Sequence, residues 1–103
     1  DYIHIMDLAE AHAIALEYFS GSDGFNIFNL GTGKGSSVME VLEAFEKVSN
    51  SQIPYKIYPR REGDAESCYA DVTKARKVLN WKSEHDLMSM CKSVFEYSQT
   101  PVN

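Results

Sequence analysis

Apolar side chains recur every three or four positions in four segments of the chain, which is the spacing of one helix face. The first segment is rich in alanine and leucine, both strong helix formers. Its many alanines are expected to allow close packing against a neighbour. Its apolar face is joined by His12, which we interpret as a core or interface histidine, and by Leu16; the other members of the face are Leu8, Ala11, Ala15 and Phe19. The pattern predicts helices over residues 6–19, 38–49, 72–79 and 87–98.

The residues at the helix ends support these boundaries. Ser37 and Glu40 have capping-box spacing, which predicts the start of the second helix. Asp71 is a candidate cap for the third helix. Asn80 suits the left-handed position beyond that helix, so Trp81 is expected to fold back onto the helix end.

Shorter β-prone runs separate the helices. Residues 25–30 and 55–58 are predicted to be short strands, residues 1–5 a short strand or an extended entry, and residues 68–70 an extended stretch. A breaker cluster at residues 20–24 ends the first helix. Helices that alternate with short strands predict the α/β class.

Composition and charge exclude several kinds of partner. The 103 residues are 44% hydrophobic and 24% charged, which suits one small globular domain. A net charge of −5 argues against nucleic-acid binding, which needs a basic face. No apolar run has membrane-spanning length, so no membrane is expected. Two cysteines without a signal peptide predict free thiols and a cytoplasmic location. A chain that begins with Asp1 is expected to be a piece of a longer protein.

Arg60 and Arg61 follow Pro59 on a short loop at the end of a predicted strand. A planar guanidinium suits bidentate binding of phosphate or carboxylate, and Asp64 could accept hydrogen bonds from sugar hydroxyls. Exposed ion pairs are common and weak. The chemistry alone therefore leaves two interpretations open, an anion-and-hydroxyl site or surface ion pairs between these arginines and nearby acids. The acids are Glu62, Asp64 and Glu66.

No residue in the chain has the pattern of a catalytic, cofactor-binding or metal site. The glycine loop at residues 31–35 departs from G-x-G-x-x-G, because Ser36 stands where the last glycine would be. It departs from a P-loop because Gly35 follows Lys34. No tyrosine has a lysine four residues later, and the histidines and cysteines are not clustered as zinc ligands.

Several motifs, in this order and spacing, resemble the UDP-glucose (UDP-galactose) 4-epimerase family of the extended short-chain dehydrogenase/reductases. They are Asp-Tyr-Ile-His-Ile-Met-Asp-Leu-Ala at residues 1–9, Phe-Asn-Leu-Gly-Thr-Gly-Lys-Gly-Ser-Ser-Val at 28–38, Pro-Arg-Arg-Glu-Gly-Asp at 59–64, and Tyr-Ala-Asp, Lys-Ala and Leu-Asn-Trp within 69–81. The resemblance covers nearly the whole chain. It implies that residues 1–103 are a partial C-terminal UDP-sugar-binding domain of a Rossmann-type enzyme, with about four helices and short strands.

The resemblance also implies that two domains of the full-length enzyme have separate functions. The N-terminal Rossmann domain, which holds NAD and the catalytic base, is absent from this chain. Hydride passes from sugar C4 to NAD and returns to the opposite face, and the full-length enzyme is expected to be a homodimer. Arg61 matches the arginine that grips the UDP diphosphate, Asp64 matches an acid near the ribose, and Cys68 matches a variable position near the substrate. A second family arginine would precede Asp1, so half of the diphosphate clamp is expected to lie outside the chain.

Three alternatives remain open at this stage. The chain could belong to another nucleotide-sugar enzyme of the superfamily, such as a dehydratase, a decarboxylase or a uronate epimerase. It could be a nucleotide-binding or interaction module without catalysis, because the catalytic motifs are missing. It could also be a structural fragment that folds only with the rest of the protein, because Ile14 and Tyr18 form a second apolar face on the first helix.

Overall fold

The computed structural model describes residues 1–21 and 24–102, and this part of the chain contains four helices. They are α1 (Ile5–Phe19), α2 (Val38–Ser49), α3 (Thr73–Leu79) and α4 (Leu87–Gln99). The four predicted helices are confirmed, and each end lies within one residue of its prediction. Ser22 and Asp23 of the predicted breaker cluster lie outside the described residues. Within the described ranges, no helix is long and apolar enough to cross a membrane.

Two of the predicted helix ends have the expected geometry. The Ser37 hydroxyl accepts a hydrogen bond from the Glu40 backbone N–H at 3.1 Å, and Glu40 Oε2 accepts one from the Ser37 N–H at 2.6 Å. This reciprocal pair is the predicted capping box of α2. Asn80 adopts the left-handed conformation with φ 51° and ψ 36°. The chain turns back there, and the Trp81 N–H donates to the Ala75 carbonyl at 3.3 Å.

Two other helix starts differ from the prediction. His4 is the N-cap of α1, because its Nδ1 accepts a hydrogen bond from the Met6 N–H at 3.0 Å. The helix therefore begins at Ile5, where the sequence predicted the end of a strand. At α3 the capping position is Val72, and Asp71 Oδ1 accepts from the Thr73 N–H at 3.0 Å from one residue further out.

The predicted strands are wrong for the described part of the chain, which contains no strand. Residues 25–30 and 55–58 are not helical, but neither segment pairs with a neighbour in the described ranges. A strand requires hydrogen bonds to a second strand, and local β propensity cannot supply that partner. Several of their apolar side chains lie open, with Phe25 89% and Ile57 88% exposed, whereas Phe28 and Leu30 are half-buried.

The helices pack as two pairs, α1 against α3 and α2 against α4. Trp81 lies at the centre of the core and is only 2% exposed. Three buried residues surround it in the same cluster, namely Ala11, Ala75 and Leu79. Partly buried side chains pack against this cluster, and they are Ile3, Ile14, Phe28, Leu30 and Val72. The small alanines let α1 and α3 approach closely, as the alanine-rich pattern of α1 predicts.

The buried face of α1 agrees with the prediction in part, because Ala11 is buried and Leu8, Ala15 and Phe19 are half-buried. It differs at two positions. His12 is exposed, and its Nδ1 lies 2.7 Å from the Leu8 carbonyl oxygen. Leu16 is 77% exposed. The buried residues of the helix are Asp7 and Ala11, so our interpretation of His12 as a core histidine is wrong for this structure. Asp7 lies one turn before Ala11 on the buried side of the helix. The sequence pattern did not indicate its burial.

Candidate functional site

Arg61 and Asp64, two of the three predicted substrate-binding residues, are in direct contact. Arg61 Nε donates to Asp64 Oδ2 at 3.0 Å. The Arg61 side chain is 86% exposed and that of Asp64 44% exposed. This contact matches one ion pair of the surface interpretation, and it directs Nε toward Asp64 while the Nη atoms remain available.

The loop around this pair is held by two contacts to backbone carbonyl groups within the loop itself. Arg60 Nη2 donates to the Asp64 carbonyl at 3.2 Å, and the Asp64 N–H approaches the Arg61 carbonyl at 3.5 Å. Gly63 has a φ of +84°, a conformation that other residues rarely adopt. Arg60 therefore closes the turn, while the Arg61 side chain extends away from it into solvent.

Both side chains of the pair retain binding capacity. Arg61 uses only Nε in the contact, and in the described residues its two Nη atoms donate no hydrogen bond. Asp64 uses Oδ2 and leaves Oδ1 free of hydrogen bonds from the described residues. An exposed pair of this kind contributes about 0–1 kcal/mol. A charge-assisted hydrogen bond to a charged ligand contributes about 1.5–3 kcal/mol, so an anion bound at the unused Nη atoms would contribute more than the Arg61–Asp64 pair itself.

Cys68, the third predicted residue, lies on the extended segment after the loop and is exposed. Its carbonyl accepts a hydrogen bond from the Asp1 backbone nitrogen at 2.7 Å. Among the described residues, the Cys68 thiol makes no hydrogen bond to Arg61 or Asp64. The structure therefore joins two of the three candidates directly and leaves the third on a neighbouring segment.

Asp1 is the residue that ties this segment to the glycine loop, and sequence reasoning did not identify it. Its carboxylate accepts hydrogen bonds from Thr32, Gly33 and Ala70. The partners are 31 to 69 residues away in sequence, so no local motif could have indicated them. In this structure the backbone N–H groups of Thr32 and Gly33 in the glycine loop donate to the Asp1 carboxylate.

A second polar cluster, also unpredicted, lies beneath α1. Asp7 is 1% exposed. It accepts hydrogen bonds from the backbone N–H groups of Glu84 and His85 at 3.2 and 3.1 Å, and its Oδ1 lies 2.8 Å from His85 Nδ1. Its backbone carbonyl accepts from Trp81 Nε1 at 3.1 Å. Burial raises the pKa of Asp7, but the hydrogen bonds and the nearby imidazole lower it by more, so the pKa lies below its ordinary value of 3.8.

The two histidines of this cluster stack on each other. The ring centroids of His4 and His85 are 4.2 Å apart, with an angle of 27° between the planes. Since His4 Nδ1 accepts from the Met6 N–H, His4 Nε2 carries the proton of the neutral ring and donates to Ser93 Oγ at 2.9 Å. No buried side-chain nitrogen or oxygen in the described residues lacks a hydrogen-bond partner, and we assign the cluster to packing of the start of α1 against α4 and the 82–86 link.

A cleft of about 400 Å³ opens between the glycine loop, α3 and the 82–86 link. Its charged lining mixes three cations with two acids, namely Lys34, Arg76, Lys82, Glu84 and Asp86. Arg61, Asp64 and Cys68 do not line it. The two acids offset two of the three cations, and none of the three predicted substrate-binding residues contributes to this cleft.

Neither a metal centre nor a disulfide is formed by the residues that the structure describes. Residues 1–21 and 24–102 contain no group of three or more histidine, cysteine or acidic side chains that could hold a metal ion. Cys68 and Cys91 are both free. Burial raises the pKa of the Cys91 thiol, which makes it the less reactive of the two.

Comparison with solved structures defines the class to which this fold belongs. A crystal structure of UDP-glucose 4-epimerase from Bifidobacterium longum, in complex with NAD+ and UDP, matches with a TM-score of 0.89 and 45% identity. The match covers 95% of this chain and 29% of that one. The UDP-Glc/GlcNAc 4-epimerase of Campylobacter jejuni matches with a TM-score of 0.84 and 39% identity, over 96% of this chain and 30% of that one. The fold is that of part of a nucleotide-sugar epimerase.

Comparison with curated proteins gives the particular relatives. The chain is 46% identical over all 103 residues to UDP-glucose 4-epimerase from Bacillus subtilis (strain 168), and spans 30% of it. It is 47% identical over 100 residues to a bifunctional UDP-glucose 4-epimerase and UDP-xylose 4-epimerase of Arabidopsis thaliana, covering 95% of this chain and 28% of that protein. No protein-family model matches the chain. The chain is homologous to part of the UDP-glucose 4-epimerases, which confirms the resemblance found in its motifs.

Proposed function

We propose that this chain is the C-terminal, UDP-sugar-binding part of a UDP-glucose 4-epimerase, which interconverts UDP-galactose and UDP-glucose by NAD-dependent hydride transfer at sugar C4. The observation that carries the proposal is 46% identity along the whole chain to an enzyme of that name. The NAD-binding Rossmann domain and the catalytic base belong to polypeptide outside these residues. The proposal includes a homodimer and a cytoplasmic location for the intact protein.

Arg61 is the diphosphate-binding residue in this proposal. Its Nη edge faces solvent while Nε is held by Asp64 at 3.0 Å, which suits a bidentate contact with two phosphate oxygens. An arginine that is already oriented loses less side-chain freedom when the ligand binds. The pair therefore acts as a preorganised anion site and does not need to break for the Nη atoms to bind.

Asp64 and Cys68 have supporting roles. Asp64 Oδ1 is open to accept a hydrogen bond from a ribose hydroxyl while Oδ2 orients Arg61. Cys68 is exposed on the following segment, where a small side chain leaves room for the sugar. The relatives' names cover glucose, xylose and N-acetylglucosamine derivatives, so the range of accepted sugars is part of the test.

Product analysis of the intact protein tests the proposal. Purified protein is incubated with UDP-galactose. The products are then separated and identified by comparison with a UDP-glucose standard. We expect UDP-glucose as the product, with bound NAD retained after each turnover. UDP-xylose and UDP-N-acetylglucosamine in parallel reactions define the sugar range.

The described chain alone is the matched control in this assay. It should give no turnover, because the cofactor site and the base lie outside it. A product that is dehydrated or decarboxylated would replace the epimerase proposal with another nucleotide-sugar enzyme. An intact protein that binds UDP but converts none of the sugars would favour a binding module.

A further inference from the structure

The Asp1 carboxylate has every acceptor position filled. Oδ1 accepts from the Thr32 N–H at 3.0 Å and from the Thr32 hydroxyl at 2.7 Å. Oδ2 accepts from the Gly33 N–H at 3.0 Å and from the Ala70 N–H at 3.1 Å. An ionised carboxylate has about four lone-pair sites, and here four donors from two segments occupy them. Charge-assisted bonds of this length are the stronger kind.

The segment from Ala65 to Ala70, which follows the Arg61 loop and carries Cys68, depends on this one residue. Its hydrogen bonds within the described part of the chain are two, the Cys68 carbonyl with the Asp1 nitrogen and the Ala70 N–H with Asp1 Oδ2. Except for Ala70, which is half-buried, its side chains are exposed. Little apolar burial therefore holds the segment in place, and Asp1 is its polar anchor.

The Asp1 contact requires glycine at position 31, because there is no room for a side chain there. A Cβ at Gly31 would lie 2.6 Å from Asp1 Oδ2 and 2.9 Å from the Ala70 Cβ. Both distances are too short for a side chain, so a residue larger than glycine would push Asp1 and Ala70 away from the glycine loop. The three residues thus form one junction, in which the absence of a side chain on the loop lets the carboxylate reach both segments.

We propose that Asp1 is a positioning residue for nucleotide binding, which locks the segment 65–70 onto the glycine loop and so fixes where Cys68 stands relative to the Arg61–Asp64 pair. Asp1 acts through these segments and does not itself touch the ligand. This inference rests on the proposed function, because it requires that the Arg61 loop binds UDP. It adds a residue that binds no ligand and yet sets the geometry of the site.

The test uses UDP titrations of the intact protein by calorimetry. In Asp1→Asn one carboxylate oxygen becomes an NH₂ group, which faces N–H donors and cannot accept from them. We expect UDP to bind about tenfold more weakly, equivalent to about 1.4 kcal/mol. Gly31→Ala should produce a similar loss, and the double variant should be no worse than either single one, because both act on one junction.

Alkylation of Cys68 gives a second readout that a purely structural role would not change. Cys68 is exposed and Cys91 is buried, so peptide-resolved mass spectrometry can follow Cys68 alone. We expect UDP to slow alkylation of Cys68 in the unchanged protein, and to protect it much less in Asp1→Asn even when UDP is raised to saturation. Equal protection at saturating UDP in both proteins would overturn the inference.

Two further variants separate the possible failures. Asp86→Asn is the matched control, because Asp86 caps α4 through Ser89 and asparagine caps nearly as well, so UDP affinity should not change. Unchanged affinity in Arg61→Ala would overturn the proposed function itself. Weaker binding in Arg61→Ala together with unchanged binding in Asp1→Asn would overturn only the inference. Should Asp1→Asn fail to fold, Thr32→Val decides. It removes the hydroxyl that donates to Asp1 Oδ1 and that also exchanges hydrogen bonds with the Lys34 backbone inside the glycine loop. An unchanged dissociation constant there would overturn the inference.

Discussion

At the scale of single residues, Arg61 should control the affinity for the UDP-sugar. Arg61→Ala in the intact protein removes at least one charge-assisted contact of about 1.5–3 kcal/mol, which is roughly a ten- to hundredfold rise in KM. Arg61→Lys should recover only part of this loss, because an ammonium cannot make the bidentate contact. Initial rates with UDP-galactose measure both effects, and the bound NAD content should stay constant.

Arg76→Ala is the matched control for that prediction. Arg76 is an exposed arginine on α3 that lines the neighbouring cleft and lies outside the Arg61 loop. Its removal should leave KM unchanged. Equal KM values for Arg61→Ala and the unchanged protein would contradict the prediction, and a parallel rise in Arg76→Ala would point to a general effect of positive charge.

Asp7 should make the fold sensitive to acid. Its folded pKa lies below the ordinary 3.8, so the stabilisation it provides is fully present above its unfolded pKa and is lost as the pH falls through its folded pKa. Asp7→Asn should lower the free energy of unfolding at neutral pH by about 1–3 kcal/mol, because buried N–H donors lose a charged acceptor. The two proteins should converge as the pH falls through the folded pKa of Asp7.

Urea unfolding of the intact protein at several pH values between pH 2.5 and pH 7 measures this convergence. Each unfolding curve gives the free energy of unfolding to within on the order of a kcal/mol. Glu10→Gln is the control, because Glu10 is an exposed acid on the same helix, and its stability curve should follow that of the unchanged protein. A constant difference between Asp7→Asn and the unchanged protein at every pH would show that the ionised state of Asp7 is not what stabilises the fold.

Asp1 and Asp7 illustrate what sequence reasoning could not reach at this scale. Each lies in a motif that the resemblance used, but their roles depend on partners 31 to 78 residues away. An aspartate in the first turn of a helix normally indicates an exposed acid that favours the helix dipole. Its burial against His85 becomes visible only when the 82–86 link is placed in three dimensions. Arg61 and Asp64, three residues apart, could be paired from sequence because their contact is local.

At the scale of elements, the capping box should contribute measurably to α2. Ser37→Ala removes the acceptor for the Glu40 N–H at the helix start, and loss of such a cap costs about 0.5–2 kcal/mol. The intact protein should therefore unfold at lower urea concentration. Ser36→Ala is the control, because the neighbouring serine makes no side-chain hydrogen bond within the described residues. Equal midpoints for the two variants would contradict the assignment of this cap.

The elements also explain which parts of the fold could be predicted. Helix limits follow from local signals such as the Ser37 cap and the left-handed Asn80, so they were predicted to within a residue. The strands at 25–30 and 55–58 depend on a partner, and the described chain supplies none. The face of α1 was predicted correctly at Ala11 but not at Leu16, which lies on the exposed side.

At the scale of the whole molecule, the chain is too open for a self-contained domain. Its accessible surface is 8517 Å², whereas a compact protein of 11.6 kDa exposes roughly 5,800 Å². Its radius of gyration is 16.9 Å, against about 13 Å for a compact domain of this length. A surplus of that size, together with open apolar segments, is what a domain part exposes when its packing partner is absent. This geometry supports the proposal that further polypeptide covers it.

The segment 55–58 provides the sharpest test of whether further polypeptide packs against this chain, because its apolar side chains are largely exposed here. Ile57 is 88% exposed in the described structure, and removing an exposed aliphatic side chain changes stability by about 0.5 kcal/mol or less. If this segment pairs with polypeptide outside the chain, Ile57→Ala in the intact protein should instead cost about 2–5 kcal/mol, the range for a buried isoleucine. Lys47→Ala, at an exposed polar position of α2, should have little effect. Urea midpoints of the three proteins decide the matter, since a loss at Ile57 as small as that at Lys47 would mean that this segment stays in solvent even in the intact protein.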